Sequence, residues 1–136
     1  MLEQSRVSER PTIVCLCGST KFREFFLEAQ RLEALAGRIV VGPAFFSNAD
    51  QSELSDEVVR TLTELHRHKI DLAEEILVID VDGYIGEATA GEIVYAAATK
   101  KKIRYWSAEV AGDDHEPPAS RPAARHGRGD QRESDR

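Results

Sequence analysis

The chain has 136 residues, with 18 Lys and Arg against 24 Asp and Glu and a net charge of −6 at pH 7. That length holds one ordinary domain and excludes a second full one, and the acidic balance excludes a broad electrostatic grip on duplex nucleic acid. No apolar run approaches the roughly 20 residues that cross a bilayer, and residues 1–10 hold no apolar signal core, so the expected compartment is the cytoplasm.

Residues 1–10 read as a flexible N-terminus. Residues 12–17 carry apolar Ile13, Val14 and Leu16 and end in Gly18-Ser19-Thr20, the pattern of a buried strand followed by a tight turn. Phe22, Phe25, Phe26, Ala29, Leu32 and Leu35 then recur at helical spacing, with Ser19 or Thr20 as cap and Gly37 as terminator. Residues 38–41 form a second short strand, before Gly42-Pro43 and a loop with Phe45, Phe46, Asn48 and Asp50. Leu54, Val58, Leu62 and Leu65 mark a second amphipathic helix running toward Leu72, with Asp50 and Glu53 in capping-box spacing.

Ile76-Leu77-Val78-Ile79-Asp80 is the clearest buried strand. A loop at 81–86 leads to an alanine-rich helix over 88–99, and residues 103–106 read as a closing strand. From Glu109 onward the one sizeable aliphatic side chain is Val110, and Pro117, Pro118 and Pro122 interrupt the chain. Such a stretch buries too little apolar area to offset roughly 1–2 kcal/mol of backbone entropy per residue. The expectation is therefore one folded unit at 11–108 and a disordered tail at 109–136.

Strands that are continuously apolar and alternate with helices indicate a parallel sheet covered on both faces. The expected class is α/β: a small Rossmann-like, flavodoxin-like three-layer sandwich with a mainly parallel sheet of four to five strands. Ligands of such sheets bind beyond the carboxyl ends of the strands, which singles out two segments. In Gly18-Ser19-Thr20-Lys21-Phe22-Arg23 the glycine permits close backbone approach, and a helix start with Ser19, Thr20, Lys21 and Arg23 offers donors and positive charge to an anion. The other segment runs from Asp80 to Glu92. Thr89 and Glu92, three apart, share a helix face, Gly91 and the alanines allow close helix packing, and Asp80 or Asp82 lies within reach.

Two chemistries compete for these residues. Cys17 and Arg23 have the spacing by which low-molecular-weight tyrosine phosphatases hold a thiolate and an arginine on one phosphate loop. Here, though, Glu24 follows the arginine and no Asp-Pro supplies a general acid. The rival is attack of a carboxylate on an anomeric carbon through an oxocarbenium-like state. Glu92 then serves as nucleophile, Asp80 or Asp82 with Thr89 orients it, Phe22 or Phe45 walls the base, and Gly18-Ser19-Thr20 takes a phosphate.

Cys15 and Cys17 point the same way on a strand and read as reduced thiols, since C-x-C alone is a weak metal pattern. His66 and His68 fall on different helix faces and read as surface or interface residues, so no metal site is expected. Lys100-Lys101-Lys102 reads as a solvated helix end.

Together, Cys17-Gly18-Ser19 after the first strand, the run Ile76–Asp80, and Tyr84-Ile85-Gly86-Glu87-Ala88-Thr89-Ala90-Gly91-Glu92-Ile93 with Tyr95-Ala96 and Lys102 resemble the nucleoside 2-deoxyribosyltransferase superfamily. The resemblance covers about residues 12–106 and is closest to the small branch with nucleoside 5′-monophosphate N-glycosidases. It implies Glu92 as the nucleophile, Thr89 and Gly86 on the substrate side, and Gly18 and Ser19 on the 5′-phosphate. It also implies an active site completed across a homodimer interface, with no metal or organic cofactor. Ala88 departs from the family's glycine, and the family's supporting helix aspartate falls near His66, His68 and Asp71. The function expected is cleavage or transfer of the N-glycosidic bond of a nucleoside 5′-monophosphate through a glycosyl-Glu92 ester; the alternative is a nucleotide-binding module of this fold without turnover.

Overall fold

A computed structural model describes residues 10–46 and 54–112. In chain order the elements are β1 (Ile13–Cys17), a 3-10 turn (Thr20–Phe22), α1 (Arg23–Leu35), β2 (Ile39–Val41), α2 (Asp56–Leu72), β3 (Glu75–Val78), a second 3-10 turn (Val81–Gly83), α3 (Glu87–Ala98), β4 (Lys102–Tyr105) and α4 (Trp106–Gly112). The four strands found among the described residues pair in the order β2-β1-β3-β4, and every pair is parallel. This is the small Rossmann-like α/β sandwich read from the sequence. None of the described helices is long and apolar enough to cross a membrane.

Alternation along the central strands divides the core in two. Val14, Leu16, Leu77 and Ile79 face α1 and α4, where Phe25, Phe26, Ala29 and Trp106 cover them. Cys15, Cys17, Ile76 and Val78 face the other way, against Ile70 within α2, Ala73 just after it and Ala96 of α3. Each large side chain buried this fully contributes roughly 1.5–3 kcal/mol. Because α1 leaves β1 toward one face while α3 leaves β3 toward the other, a crevice opens between the carboxyl ends of β1 and β3.

Local chemistry explains where the ends fall. Ser19 caps the 3-10 turn rather than α1 itself, its Oγ accepting from Lys21 N at 3.3 Å. Gly37 ends α1 at φ +87°, a conformation that costs glycine little. The α2 cap is Ser55, whose Oγ accepts from Val58 N at 3.1 Å; Asn48, Asp50 and Glu53 lie outside the described residues.

The folded unit reaches beyond 108. The short helix α4 continues to Gly112, Val110 packs against the core, and Glu109 accepts two hydrogen bonds from Arg104 at 3.1 Å. The half-buried Arg104 also binds Glu33 at 2.5 Å and Glu75 at 2.8 Å, and Glu33 binds Arg38 at 2.6 Å, so one charge network ties α1, β3, β4 and α4 together. An apolar count alone misses this anchorage. Residues 113–136 lie outside the described residues.

Candidate active site

A cleft of about 490 Å³ opens at the carboxyl end of β1, with Gly18, Thr20, Arg23, Phe45, His66 and Glu92 among its lining residues. The turn on its upper side depends on Gly18. At φ +153° this residue sits where side chains are rarely tolerated, and a Cβ there would stand 3.1 Å from the Ile79 carbonyl oxygen and 3.2 Å from the Ile79 Cβ. The chain thus turns close over the end of β3. Ser19 is buried beneath the turn, whereas Thr20, Lys21 and Arg23 line the cleft. The Arg23 guanidinium carbon lies 5.2 Å from the Phe45 ring centre, and Phe45 in turn meets Phe26 edge-on at 5.3 Å. Lys21 places its ammonium 3.9 Å from the Tyr84 ring centre.

Glu92 and His66 come from the two helices on the other side. Thr89 and Ala96 are buried one turn before and after Glu92, which orients that edge of α3 inward while the Glu92 side chain stays 27 % exposed toward the cleft. On α2, His66 and Ile70 are one turn apart and both buried. His66 Nε2 lies 3.5 Å from Glu92 Oε1, 3.5 Å from Cys17 Sγ and 3.9 Å from Cys15 Sγ. His66 Nδ1 is buried with no hydrogen-bond partner among the described residues. The residue read as a surface histidine is therefore at the floor of the cleft, because the turn of α2 that carries Ile70 into the core carries His66 with it.

Burial and mutual contact shift this cluster. The hydrogen bond from Cys17, helped by His66 against the opposing effect of burial, pulls the Cys15 thiol down to about 6. The Cys17 thiol moves up instead, through Cys15, burial and the Glu92 carboxylate. For His66, burial disfavours the imidazolium, but Cys15 and Glu92 outweigh it and hold the ring above its ordinary value.

Other expected site residues are placed elsewhere. Asp80 is 5 % exposed and outside the cleft lining: its two carboxylate oxygens accept from Ser107 N at 2.8 Å and Ser107 Oγ at 2.7 Å, so it fastens the end of β3 to the start of α4. Asp82 is exposed on the second 3-10 turn at φ +54° and does not line the cleft. Phe22 packs edge-on against Phe25 and Tyr84 at 6.1 and 5.7 Å, as part of the core margin. Gly86 is the buried residue that precedes α3, and Thr89 is buried below Glu92. Gly91 is exposed and its missing Cβ would touch nothing, so it brings no helix closer. Asp71 accepts from the Tyr95 hydroxyl at 2.6 Å and His68 is exposed; of the three residues near the family's helix aspartate, His66 is the one beside Glu92.

Cys17 does not suit a phosphatase nucleophile. It is completely buried and its thiol is pushed up, whereas such a thiolate must be accessible and acidic. Lys69 is a cleft residue that the sequence did not single out; its Nζ donates to the Gly42 carbonyl at 2.7 Å, joining α2 to the turn after β2. No family model, curated protein or solved structure matches the chain.

Proposed function

We propose that this cleft binds a nucleoside 5′-monophosphate and breaks its N-glycosidic bond. The observation that carries the reading is that one cleft at the sheet's switch point holds the Gly18–Arg23 turn, the Phe45 ring and the Glu92 carboxylate. Its volume falls in the range of small-molecule sites. An anion at the turn meets Thr20, Lys21 and Arg23, a base stacks along Phe45, and the sugar lies over Glu92.

In this mechanism the Glu92 carboxylate attacks C1′ as the bond to the base nitrogen breaks. The base leaves with the bonding electrons and takes a proton, and the sugar phosphate remains as an ester on Glu92. Water, or a second base, then attacks C1′ and frees the carboxylate. His66 is a positioning residue here, holding the carboxylate from 3.5 Å away. The same reading includes a homodimer: Leu65 and Leu72 of α2 and Val94 of α3 leave apolar surface exposed, at 49, 62 and 68 %, for a second copy to cover. A free nucleotide substrate places the activity in the cytoplasm.

The test is to incubate the purified chain with the common ribo- and deoxyribonucleoside 5′-monophosphates, and with the matching nucleosides, and to measure free base. Release from at least one monophosphate is expected, with its nucleoside at least tenfold slower. Equal turnover of the nucleoside would remove the phosphate preference. Saturable binding without release would leave the alternative, a nucleotide-binding module.

A further inference from the structure

Cys15 and Cys17 on β1 and His66 on α2 bring two Sγ atoms and one ring nitrogen within 4.8 Å of one another, all three residues buried. Hydrogen bonding alone accounts poorly for this grouping. A ring nitrogen serves one hydrogen bond, yet three heteroatoms converge on His66 Nε2: Cys17 Sγ at 3.5 Å, Cys15 Sγ at 3.9 Å and Glu92 Oε1 at 3.5 Å. These separations have another meaning. With zinc bonds of about 2.3 Å to sulfur and about 2.0–2.2 Å to nitrogen and oxygen, the edges of a tetrahedral site run from about 3.4 to about 3.8 Å.

We propose that Cys15, Cys17 and His66 bind a zinc ion at the floor of the cleft, its fourth position open to water from the cleft. The donor set of two sulfurs and one imidazole is that of a thiophilic, tetrahedral cation and unlike the all-oxygen shells of magnesium or calcium. One ion enters with both cysteines as thiolates, the displaced protons passing to solvent, while His66 binds as the neutral ring through Nε2, its Nδ1 keeping the proton. Two thiolates neutralise the ion. The cleft gives the ion its way in, since His66 and Glu92 line it while both thiols lie behind them. The site stands apart from the glycosidic reading in its evidence. Where both hold, the ion sits beside the nucleophile, bound to the His66 ring that stands 3.5 Å from Glu92.

The test uses the full chain, stripped with a chelator under reducing conditions and titrated with cobalt(II) as the spectroscopic stand-in for zinc. A thiolate-to-cobalt charge-transfer band that saturates at one ion per chain, and is abolished by one equivalent of zinc, is expected. Cys15→Ser and Cys17→Ser should each reduce the band, and His66→Gln should weaken binding at least tenfold, with far-ultraviolet circular dichroism confirming that each variant is folded. Absence of the band in the unaltered chain, or a band that persists at full strength in the folded double variant Cys15→Ser/Cys17→Ser, would overturn the proposal. Neither result depends on whether any nucleotide is cleaved.

Discussion

His66 Nε2 and Glu92 Oε1 stand 3.5 Å apart, an imidazole from α2 and a carboxylate from α3 meeting at the floor of the cleft. The carboxylate is held between a buried ring and the solvent-facing cleft, which fixes its direction. Replacing His66 by Ala removes that support and leaves a void beside two buried thiols. We expect a stability loss of about 1–3 kcal/mol and a drop in kcat for base release with little change in KM. A rise in KM alone, measured by steady-state kinetics, would show that His66 binds substrate and does not position Glu92.

Asp80 separates structure from chemistry. Its carboxylate is spent on Ser107 at 2.7 and 2.8 Å, outside the cleft. Asp80→Ala should therefore lower the urea midpoint by the equivalent of about 1–3 kcal/mol, the cost of removing one partner of buried hydrogen bonds. Kinetic constants of the folded fraction should stay unchanged. A large fall in kcat with unchanged stability would return Asp80 to the reacting groups.

The Glu33–Arg104 pair makes stability depend on acid. Burial alone would raise the Glu33 carboxyl, but hydrogen bonds from Arg104 and Arg38 outweigh it and hold the group below its ordinary value of 4.5. The unfolded chain then binds the proton more readily than the folded one. The contribution is complete above the ordinary carboxylate range and is lost as pH falls through the lower folded value. Arg104→Met should cost about 2–4 kcal/mol near neutrality, because the buried Glu33 and the half-buried Glu75 lose their partner. Thermal melts from pH 7 downward should show that this difference shrinks as Glu33 protonates; a gap independent of pH would assign the loss to packing.

Gly18 carries both the conformation and the clearance of the turn. In Gly18→Ala the added Cβ meets Ile79 at 3.1–3.2 Å while φ stays unfavourable for alanine. A loss of about 1–3 kcal/mol is expected, together with weaker binding of a monophosphate, and denaturant unfolding with ligand titration checks both. An unchanged midpoint would mean that the turn relaxes easily.

The fold was legible in the sequence because its signals are local. Continuous apolar runs identified β1 and β3, helical spacing identified α1 and α2, and Gly18 and Gly37 punctuated them. The two segments that line the cleft, the Gly18–Arg23 turn and the Glu92 edge of α3, were legible too, through a glycine after a strand and a carboxylate one turn after Thr89. What escaped depends on distant partners. Nothing near His66 announces that its helix face meets a carboxylate 26 positions later and two thiols on β1. Asp80 sits at the strand end where a site residue is expected, and its engagement with Ser107 follows from α4, whose seven residues are too few to show a helical period before the proline-rich stretch. Glu109 and Val110 were assigned to the tail for the same reason, although Arg104 and the core hold them.

The central claim is that Glu92 is the group that breaks the glycosidic bond. The most direct measurement is free-base release from the best monophosphate by Glu92→Gln, which keeps the shape of the side chain and removes its charge, compared with the unaltered chain at equal folded concentration. The account predicts a loss of at least a thousandfold in kcat, about 4 kcal/mol of transition-state stabilisation, with binding of the monophosphate retained. Release by Glu92→Gln at a rate near that of the unaltered chain would contradict it.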